Sequence, residues 1–255
     1  MKLNLCYFQK HNNWGDALNP YLLGRLTGCK ISPCTDTDRR RGPHLLAIGS
    51  IIQWADEDSV VWGTGAISAD VALTCIPRRI LAVRGPLTRD ICLRNGASCP
   101  PIYGDPALLM PKVYQPNADR GNALGVIPHY VDRDSAFIAR CRAAGMAVID
   151  VFSGIESFVE RVAGCRGILS SSLHGLICAD AYGIPSRWIQ ISDGVLGNGF
   201  KFRDYYASLG LREEPVRVGA DSDLCELAAL PWRKPLPVDR NALRGSLLDY
   251  LEGCR

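Results

Sequence analysis

A histidine stands between a run of serines and a small-residue segment in "SSSLHGLICADAYG". His174 follows Ser170, Ser171 and Ser172, and the chain has only four histidines. An imidazole, with an ordinary pKa of about 6.5, suits general acid or base work at the mouth of a helix, although a buried structural histidine is the alternative. His129 in "VIPHYVD" follows another apolar run in the same half of the chain. Two histidines at neighbouring strand ends favour a site.

Cationic side chains occur in two further sequence motifs. "LAVRGPLTR" places Arg84 at the end of an apolar strand and Pro86 at the first position of a helix. A guanidinium beside the positive end of a helix suits a carboxylate or a phosphate. Arg89 lies one turn further on and is either a second ligand group or a surface arginine. "GFKFRDYY" places Lys201 and Arg203 after a glycine-rich loop, which predicts a lid carrying cations or a solvated turn.

Two carboxylates also follow strands. Asp16 in "NNWGDALN" could cap a helix, and Asp105 in "IYGDPALL" could form a turn, so neither indicates a site by itself. Two turns of small residues could let a ligand approach backbone N–H groups. They contain Gly49, Ser50, Gly63, Thr64 and Gly65. Neither turn is a complete dinucleotide or P-loop motif.

The elements that must position these residues alternate along the chain. Short apolar runs, glycine-rich turns and amphipathic segments predict βαβ units and parallel sheets. Ser153 and Glu156 predict a capping box, and Asp239 predicts the cap of a terminal helix. Residues 111–122 are polar with two prolines, which predicts a linker or hinge.

We therefore expect an α/β fold of two Rossmann-like domains, residues 1–115 and 116–255, facing each other across a cleft. The terminal helix can pack back on the first domain. Ligands of such sheets bind beyond the carboxyl ends of the strands, and the residues singled out above all fall there.

Composition excludes several classes of protein. A net charge of +3 over 255 residues is too weak a basic balance for nucleic acid. The 11 cysteines show no CxxC or zinc-ligand spacing, and no apolar stretch is long enough to span a bilayer, so we expect a cytoplasmic protein. Two short basic runs, Arg39 to Arg41 and Trp232 to Lys234, indicate either a peripheral contact with the cytoplasmic membrane face or an ordinary solvated face.

Five motifs in order carry a family resemblance. "NNWGDAL", "AVRGPLTR", "YGDPALL", "SSSLHGLICADAYGIP" and "FKFRDYY" resemble the polysaccharide pyruvyl transferases, and most closely the ketal pyruvate transferases of xanthan-type exopolysaccharide synthesis. The resemblance implies a fold similar to the two-domain GT-B glycosyltransferases. It implies phosphoenolpyruvate as donor and a hydroxyl pair on a lipid-linked oligosaccharide or polysaccharide as acceptor.

The resemblance also implies site residues. The family's strand-end arginine is matched by Arg84, and the histidine of its L-H-G motif by His174. Many members have an arginine immediately before L-H-G, where this chain has Ser172. Lys201 and Arg203 are our candidates for the cation that replaces it.

Ketal formation requires protonation of the enol C3 and removal of two hydroxyl protons. We expect His174 to be the acid, Asp16 or Asp105 the base, and Arg84 a bidentate clamp on the carboxylate. Neither a metal nor a redox cofactor is required. The candidate substrate-binding residues are Arg84, Arg89, Gly49, Ser50, Gly63, Thr64, Gly65, His129, Ser171, Ser172, Lys201 and Arg203.

Two other classes remain open at this point. A nucleotide-sugar glycosyltransferase on the same fold would need an acidic residue to grip a ribose, for which Asp180 and Asp193 are candidates. A non-catalytic anion-binding protein of a polysaccharide gene set would bind the same ligand without turnover.

Overall fold

The structure, a computed structural model, describes residues 1–11, 13–34 and 42–254. Within these residues the chain forms ten strands and eight α-helices. The strands are β1 Lys2–Cys6, β2 Lys30–Pro33, β3 His44–Leu46, β4 Ser59–Trp62, β5 Arg79–Ala82, β6 Leu124–Ile127, β7 Ala147–Val148, β8 Gly167–Ser170, β9 Ser186–Gln190 and β10 Val216–Arg217. The helices are α1 Trp14–Thr27, α2 Pro86–Arg94, α3 Ala136–Ala143, α4 Ile155–Ala163, α5 Leu173–Ala181, α6 Phe200–Ser208, α7 Leu224–Ala228 and α8 Arg240–Glu252.

The strands form two five-stranded sheets, ordered β2-β1-β3-β4-β5 and β10-β9-β8-β6-β7. Every strand pair within them is parallel. β3, β4, β6 and β8 are buried along their whole length, as parallel strands covered by helices must be. This α/β architecture, with two parallel sheets, is the class that the alternating pattern predicts.

The direction of the chain reverses at equivalent places in both sheets. β1 lies between β2 and β3, and β6 lies between β7 and β8. In an open parallel sheet, the loops that leave two such strands in opposite directions separate and create a crevice at their carboxyl ends. The crevices are therefore expected after β1 and β3 in the first sheet and after β6 and β8 in the second.

Local signals place some helix ends correctly and others not. Pro86 is the first residue of α2, and the Asp239 side chain caps α8 by accepting the N–H groups of Asn241 and Ala242, both as predicted. The capping box predicted for α4 is absent, because Gly154 occupies the N-cap. Glu156 instead accepts the hydroxyl of Tyr21 on α1.

The two halves share one hydrophobic core. Its largest cluster combines residues of α1 with residues of a 3-10 helix over Pro106–Lys112 and of α4 and α5. The Trp14 ring stacks on Phe158 at 4.9 Å, and the Trp14 backbone N–H donates to the Val151 carbonyl. The segment predicted as a linker or hinge, residues 111–122, does connect the two halves: between the 3-10 helix that ends at Lys112 and β6, which begins at Leu124, the chain forms neither helix nor strand.

The terminal helix packs on the first sheet. Leu243, Leu247 and Leu251 of α8 are buried in a cluster with residues of β1, β3, β4 and β5. The Trp62 indole N–H donates to the Leu243 carbonyl at 2.8 Å. No helix in the described ranges is long and apolar enough to cross a membrane.

A fully buried ion pair ties α6 to the first half. The Nε of Arg84, just after β5, donates to Asp204 Oδ2 at 2.9 Å, and Nη2 lies at the same distance from that oxygen. Both side chains are inaccessible to solvent. Asp204 also accepts the backbone N–H and the hydroxyl of Thr88 in α2, at 2.9 and 2.7 Å. The carboxylate is therefore fully neutralised and hydrogen-bonded, as a buried charge must be.

Gly85 allows this contact to form. A β-carbon at this position would lie 2.0 Å from the Asp204 carbonyl oxygen, so a side chain here would push α6 away. In the same way, a β-carbon on Gly65 would collide with the Arg84 guanidinium, so the backbone at Gly65 packs directly against that group. Gly65 of "GTG" and Gly85 of "RGP" are thus explained by close packing around one ion pair.

Removing one partner of the pair should be costly. In Asp204→Ala the Arg84 guanidinium would stay buried without a counterion, and we expect the free energy of unfolding to fall by about 3–5 kcal/mol. Asp193→Ala, which removes an exposed partner of Arg217, should cost under about 1 kcal/mol. Urea unfolding of both variants measures the difference, and equal losses would contradict the assigned role of the buried pair.

Candidate active site

A cleft of about 480 Å³ opens between the two sheets at the carboxyl ends of their strands. Its walls come from the loops after β1, β3, β6, β7 and β8 and from the starts of α1, α5 and α6, which include both topological switch points. Seven sequence-predicted residues line it: Asp16, Gly49, Ser50, His129, Ser172, His174 and Lys201. Residues from both halves of the chain thus meet in one place.

His174 lies at the start of α5 with Asp105 behind it. Asp105 Oδ2 is 3.4 Å from His174 Nε2, and neither buried atom hydrogen-bonds to another described residue. Contacts between catalytic groups are often this long before substrate closes around them. Asp105 is held by its other oxygen, which accepts the Ala107 N–H at 2.9 Å. A carboxylate fixed in this way limits the orientations open to the imidazole that faces it.

Asp16 is a buried carboxyl in the first turn of α1. Asn13, not Asp16, is the N-cap, and its side chain accepts the N–H groups of Gly15 and Asp16. Burial raises the pKa of Asp16 to about 6, against the opposing effects of His174, Lys201 and the Asn13 side chain. A carboxyl with a pKa near neutrality can act as a base at physiological pH.

Lys201 extends into the cleft from the first turn of α6. Burial and, to a smaller extent, the Arg84 guanidinium lower the pKa of its ammonium to about 8, against the opposing effect of Asp16. Burial also lowers the pKa of His129 to about 3, with a contribution from Lys201. His129 is therefore neutral, while Lys201 is a desolvated cation at neutral pH. Such a cation is a strong attractor for an anionic ligand.

The serines divide between the cleft and its support. Ser172 and the first residues of α5 line the cleft, and the Ser172 hydroxyl makes no capping bond to the helix. The positive end of α5 is thus turned toward the same space as Lys201. Ser171 is buried behind Ser172. Its hydroxyl accepts the backbone N–H of His129 at 2.8 Å and donates to Asp132. Ser171 is a support for His129 here, not a wall of this cleft.

Arg84 is not arranged as a clamp on a ligand. Besides Asp204, its guanidinium donates to Ser50 Oγ at 2.9 Å and to the Ala66 carbonyl at 2.7 Å. A side chain with no exposed surface and with its fork on Asp204 cannot also grip a carboxylate in this arrangement. Arg84 acts on the cleft indirectly, because it holds Ser50 and α6 in place.

Other expected ligands also lie elsewhere. Arg89 donates to the Cys99 carbonyl away from the cleft, and Arg203 pairs with Glu214 and donates to the Asn198 carbonyl. Of the two cations proposed to compensate for Ser172, only Lys201 therefore reaches the cleft.

The second small-residue turn, Gly63 to Gly65, packs behind the cleft and does not line it. Thr64 donates its hydroxyl to the Gly49 carbonyl at 2.8 Å, which fixes the turn that does line the cleft. Gly63 lies against Pro106, at the start of the 3-10 helix that Asp105 caps. Gly63, Thr64 and Gly65 are thus part of the support and contact no ligand space here.

The remaining candidate residues lie outside this cleft. Asp180 is buried and paired with Lys234 at 2.9 Å, so it cannot grip a ribose. Lys234 is correspondingly unavailable to a membrane, and Arg233 donates to the Gly183 carbonyl. Asp193 is exposed and pairs with Arg217. The run Arg39 to Arg41 lies outside the described residues.

Sequence reasoning missed the aromatic part of the cleft. Phe8, Trp54 and Tyr130 line it, together with Asn13 and Gln53. Tyr130 directly follows His129, so the same strand-end signal applied to it. Phe8 and Trp54 had no comparable signal, because aromatic residues next to strands are ordinary core residues.

Comparison with known proteins agrees with this arrangement. The family model described as polysaccharide pyruvyl transferase matches residues 60–193 of the chain. The chain belongs to the polysaccharide pyruvyl transferase family. The matched region contains the arginine of the buried pair and the Asp105–His174 contact.

Two relatives of this chain extend the match beyond that region. The succinoglycan biosynthesis protein ExoV of Rhizobium meliloti (strain 1021) is 26% identical over 219 residues, which are 82% of this chain and 65% of ExoV. The uncharacterized protein L143 of Acanthamoeba polyphaga mimivirus is 27% identical over 221 residues, which are 83% of this chain and 76% of that protein. The chain thus spans just under two thirds of the length of ExoV.

Gly15 leaves room for the His174 ring. A β-carbon at Gly15 would lie 1.9 Å from His174 Nδ1. We expect Gly15→Ala to displace the imidazole and to lower the free energy of unfolding by about 1–3 kcal/mol through overpacking. Gly24→Ala on the same helix is the control, since the nearest atom would lie 3.8 Å away, and it should be neutral or stabilising. Chemical denaturation and the NMR signals of the His174 ring test both variants, and an unmoved ring in Gly15→Ala would contradict the packing argument.

The raised pKa of Asp16 predicts a pH-dependent cost in stability. The folded chain keeps this proton up to about pH 6, whereas an unfolded aspartate loses it near 3.8. Stability supplied by that proton is complete below pH 3.8 and is lost as pH rises through 6. Asp16→Asn should therefore gain stability over wild type between pH 4 and 7, by up to about 3 kcal/mol.

Thermal unfolding at pH 4, 5.5 and 7 measures this gain. Asp134→Asn is the control, because the side chain of Asp134 is 83% exposed. A gain for Asp16→Asn that is the same at all three pH values would contradict the assigned pKa.

Proposed function

We propose that this chain transfers pyruvate from phosphoenolpyruvate onto a pair of hydroxyl groups of a saccharide, as a ketal, in the synthesis of an exopolysaccharide or cell-surface glycan. The observation that carries the proposal is the meeting of Asp16, His174 and Lys201 in one cleft between the sheets. The acceptor would be a lipid-linked oligosaccharide or a polysaccharide. Two Rossmann-like sheets with a cleft between them are also what a GT-B-like enzyme would need.

The donor carries a carboxylate and a phosphate, so its site must supply convergent positive charge. Lys201 supplies a desolvated ammonium, and the N-terminus of α5 supplies backbone N–H groups beside it. The hydroxyls of Ser50 and Ser172 line the same space. This set takes over the role that an arginine before the L-H-G motif would have.

Proton transfers follow from the positions of the three titratable groups. His174, oriented by Asp105, delivers a proton to C3 of the enol, which leaves a cationic centre at C2. Ionised Asp16 accepts the proton of the first acceptor hydroxyl as its oxygen bonds to C2. The C2–O bond to phosphate then breaks and phosphate leaves with the bonding electron pair, taking up the proton held by Asp16. The second hydroxyl adds to C2 and gives its proton to His174, which restores the acid, and the products are the ketal and inorganic phosphate.

The direct test combines two measurements on the purified chain. Incubated with phosphoenolpyruvate and a synthetic glycoside acceptor, it should release phosphate and add the mass of a pyruvate ketal to the glycoside. His174→Ala should reduce kcat by about 10²–10⁴-fold. Phosphate release without a ketal, or full activity in His174→Ala, would contradict the proposal.

The two candidate cations predict different kinetics. Lys201→Met removes a charge from the cleft, so the KM for phosphoenolpyruvate should rise at least about ten-fold. Arg203→Met removes a charge that pairs with Glu214 outside it, so this KM should change less than about two-fold.

The pH dependence of kcat/KM gives a second readout of the same residues. It should rise near pH 6, as Asp16 ionises, and fall near pH 8, as Lys201 loses its proton. In Lys201→Arg the part of this fall that follows the titration of Lys201 should disappear, because arginine keeps its charge. A larger effect of Arg203→Met than of Lys201→Met on donor KM would overturn the assignment.

A further inference from the structure

A series of aromatic rings begins at the wall of the cleft, which Phe8, His129 and Tyr130 line, and crosses from one half of the chain to the other. This aromatic strip consists of Phe8, His11, His129, Tyr130 and Phe152. Tyr130 is its central ring: centroid distances from it are 4.3 Å to His129, 5.0 Å to His11 and 6.3 Å to Phe152. Phe8 continues the strip at 5.7 Å from His11.

Unlike the aromatic rings of the hydrophobic core, part of this strip and of its surroundings is exposed to solvent. The Phe152 side chain is 38% exposed, and Val131, the neighbour of Tyr130, is 47% exposed. Leu196, on the loop that faces Val131 across the cleft mouth, is 73% exposed. Apolar surface that is contiguous and rimmed by polar groups marks a place where a ligand or partner sits.

Two rings of the strip, His11 and His129, are imidazoles. Because an imidazole can form hydrogen bonds, the strip suits a ligand that is not purely apolar. His129 Nδ1 accepts the Val131 N–H at 3.4 Å, so the neutral ring carries its proton on Nε2 and can donate it to a ligand. A lipid chain would gain nothing from such a donor and would leave it unpaired. A ligand that offers both C–H groups and hydroxyls would use the whole strip.

A pyranose ring has this composition. One face presents several C–H groups, which match the negative face of an aromatic ring, and its edge carries hydroxyls. The strip adjoins Asp16, which lines the same cleft and has the carboxyl that the proposed reaction needs as a base. A sugar lying on Tyr130 would therefore point its edge toward the donor site.

We propose that the aromatic strip is the acceptor subsite, in which Tyr130 stacks on the C–H face of a hexopyranose ring and His129 donates a hydrogen bond to one of its hydroxyls. This assignment rests on the proposed function for the identity of the acceptor. It adds Tyr130 as a residue that determines acceptor binding, separate from Lys201, which serves the donor.

Binding can be tested without turnover. Methyl β-glucopyranoside, methyl β-galactopyranoside and methyl α-mannopyranoside are titrated into the full chain and followed by saturation-transfer NMR. At least one should receive saturation on the C–H protons of a single ring face. Tyr130→Ala should raise its Kd about ten-fold, whereas Tyr130→Phe, which keeps the ring, should change it less than two-fold. No transfer to any of the three in wild type would overturn the proposal.

Two further variants test whether an effect of Tyr130→Ala on binding comes only from a loss of folding. Tyr250→Ala on α8 removes another half-buried tyrosine far from the cleft and should bind as wild type. Phe152→Ala changes an exposed ring and should fold normally while weakening binding about three-fold. Unchanged glycoside binding in Tyr130→Ala and Phe152→Ala would overturn the proposal. So would strip-dependent binding to phosphatidylglycerol vesicles with no glycoside binding.

Kinetics separate this proposal from the reaction itself. If glycoside binding depends on Tyr130 but phosphoenolpyruvate releases no phosphate, the subsite stands and the proposed function fails. If ketal forms but Tyr130→Ala leaves the acceptor KM unchanged, the function stands and the subsite fails. The expected result is a ten-fold rise in acceptor KM with the donor KM within two-fold of wild type.

Discussion

The buried pair of Arg84 and Asp204 is the interaction on which the cleft depends. The loops at the carboxyl ends of parallel strands are not held by the sheet's own hydrogen bonds. The helix that brings Lys201 over these loops, α6, therefore needs other contacts to hold it in position. Asp204 lies one turn after Lys201 in α6, and it is held by Arg84 and by both polar groups of Thr88. The same guanidinium holds Ser50 at the opposite wall. One desolvated arginine thus sets the position of two walls at once.

The electrostatics of the cleft follow from that packing. Asp16 and Lys201 are both pushed toward neutrality by burial, and each partly restores the charge of the other. Arg84 adds a positive potential below Lys201 without entering the cleft. The result is a small volume in which a base and a cation coexist near neutral pH, at a cost in stability that the shared core must offset.

The sequence predicted the sheets and most strand-end residues, because continuous apolar runs and the geometry of parallel sheets leave few alternatives. It could not predict which strand-end side chains face the cleft. Arg84 and Lys201 looked equivalent as cations, and only the partner Asp204, within the same "FKFRDYY" motif, distinguishes them. The edge strands β2 and β10 are short and polar and gave no apolar signal. The spacing of Ser153 and Glu156 suited a capping box, but Tyr21, far away in sequence, bonds to the glutamate instead.

The continuous core beneath the cleft has a consequence for how substrates enter. Trp14 belongs to that core and stands immediately before Gly15 and Asp16, so Asp16 is anchored to the layer that joins the two halves. Close-packed interiors resist compression, so the layer that joins the two halves opposes any movement of one sheet away from the other. Widening the cleft by separating the sheets would mean breaking into this layer, and a substrate avoids that cost only if it enters through the existing opening.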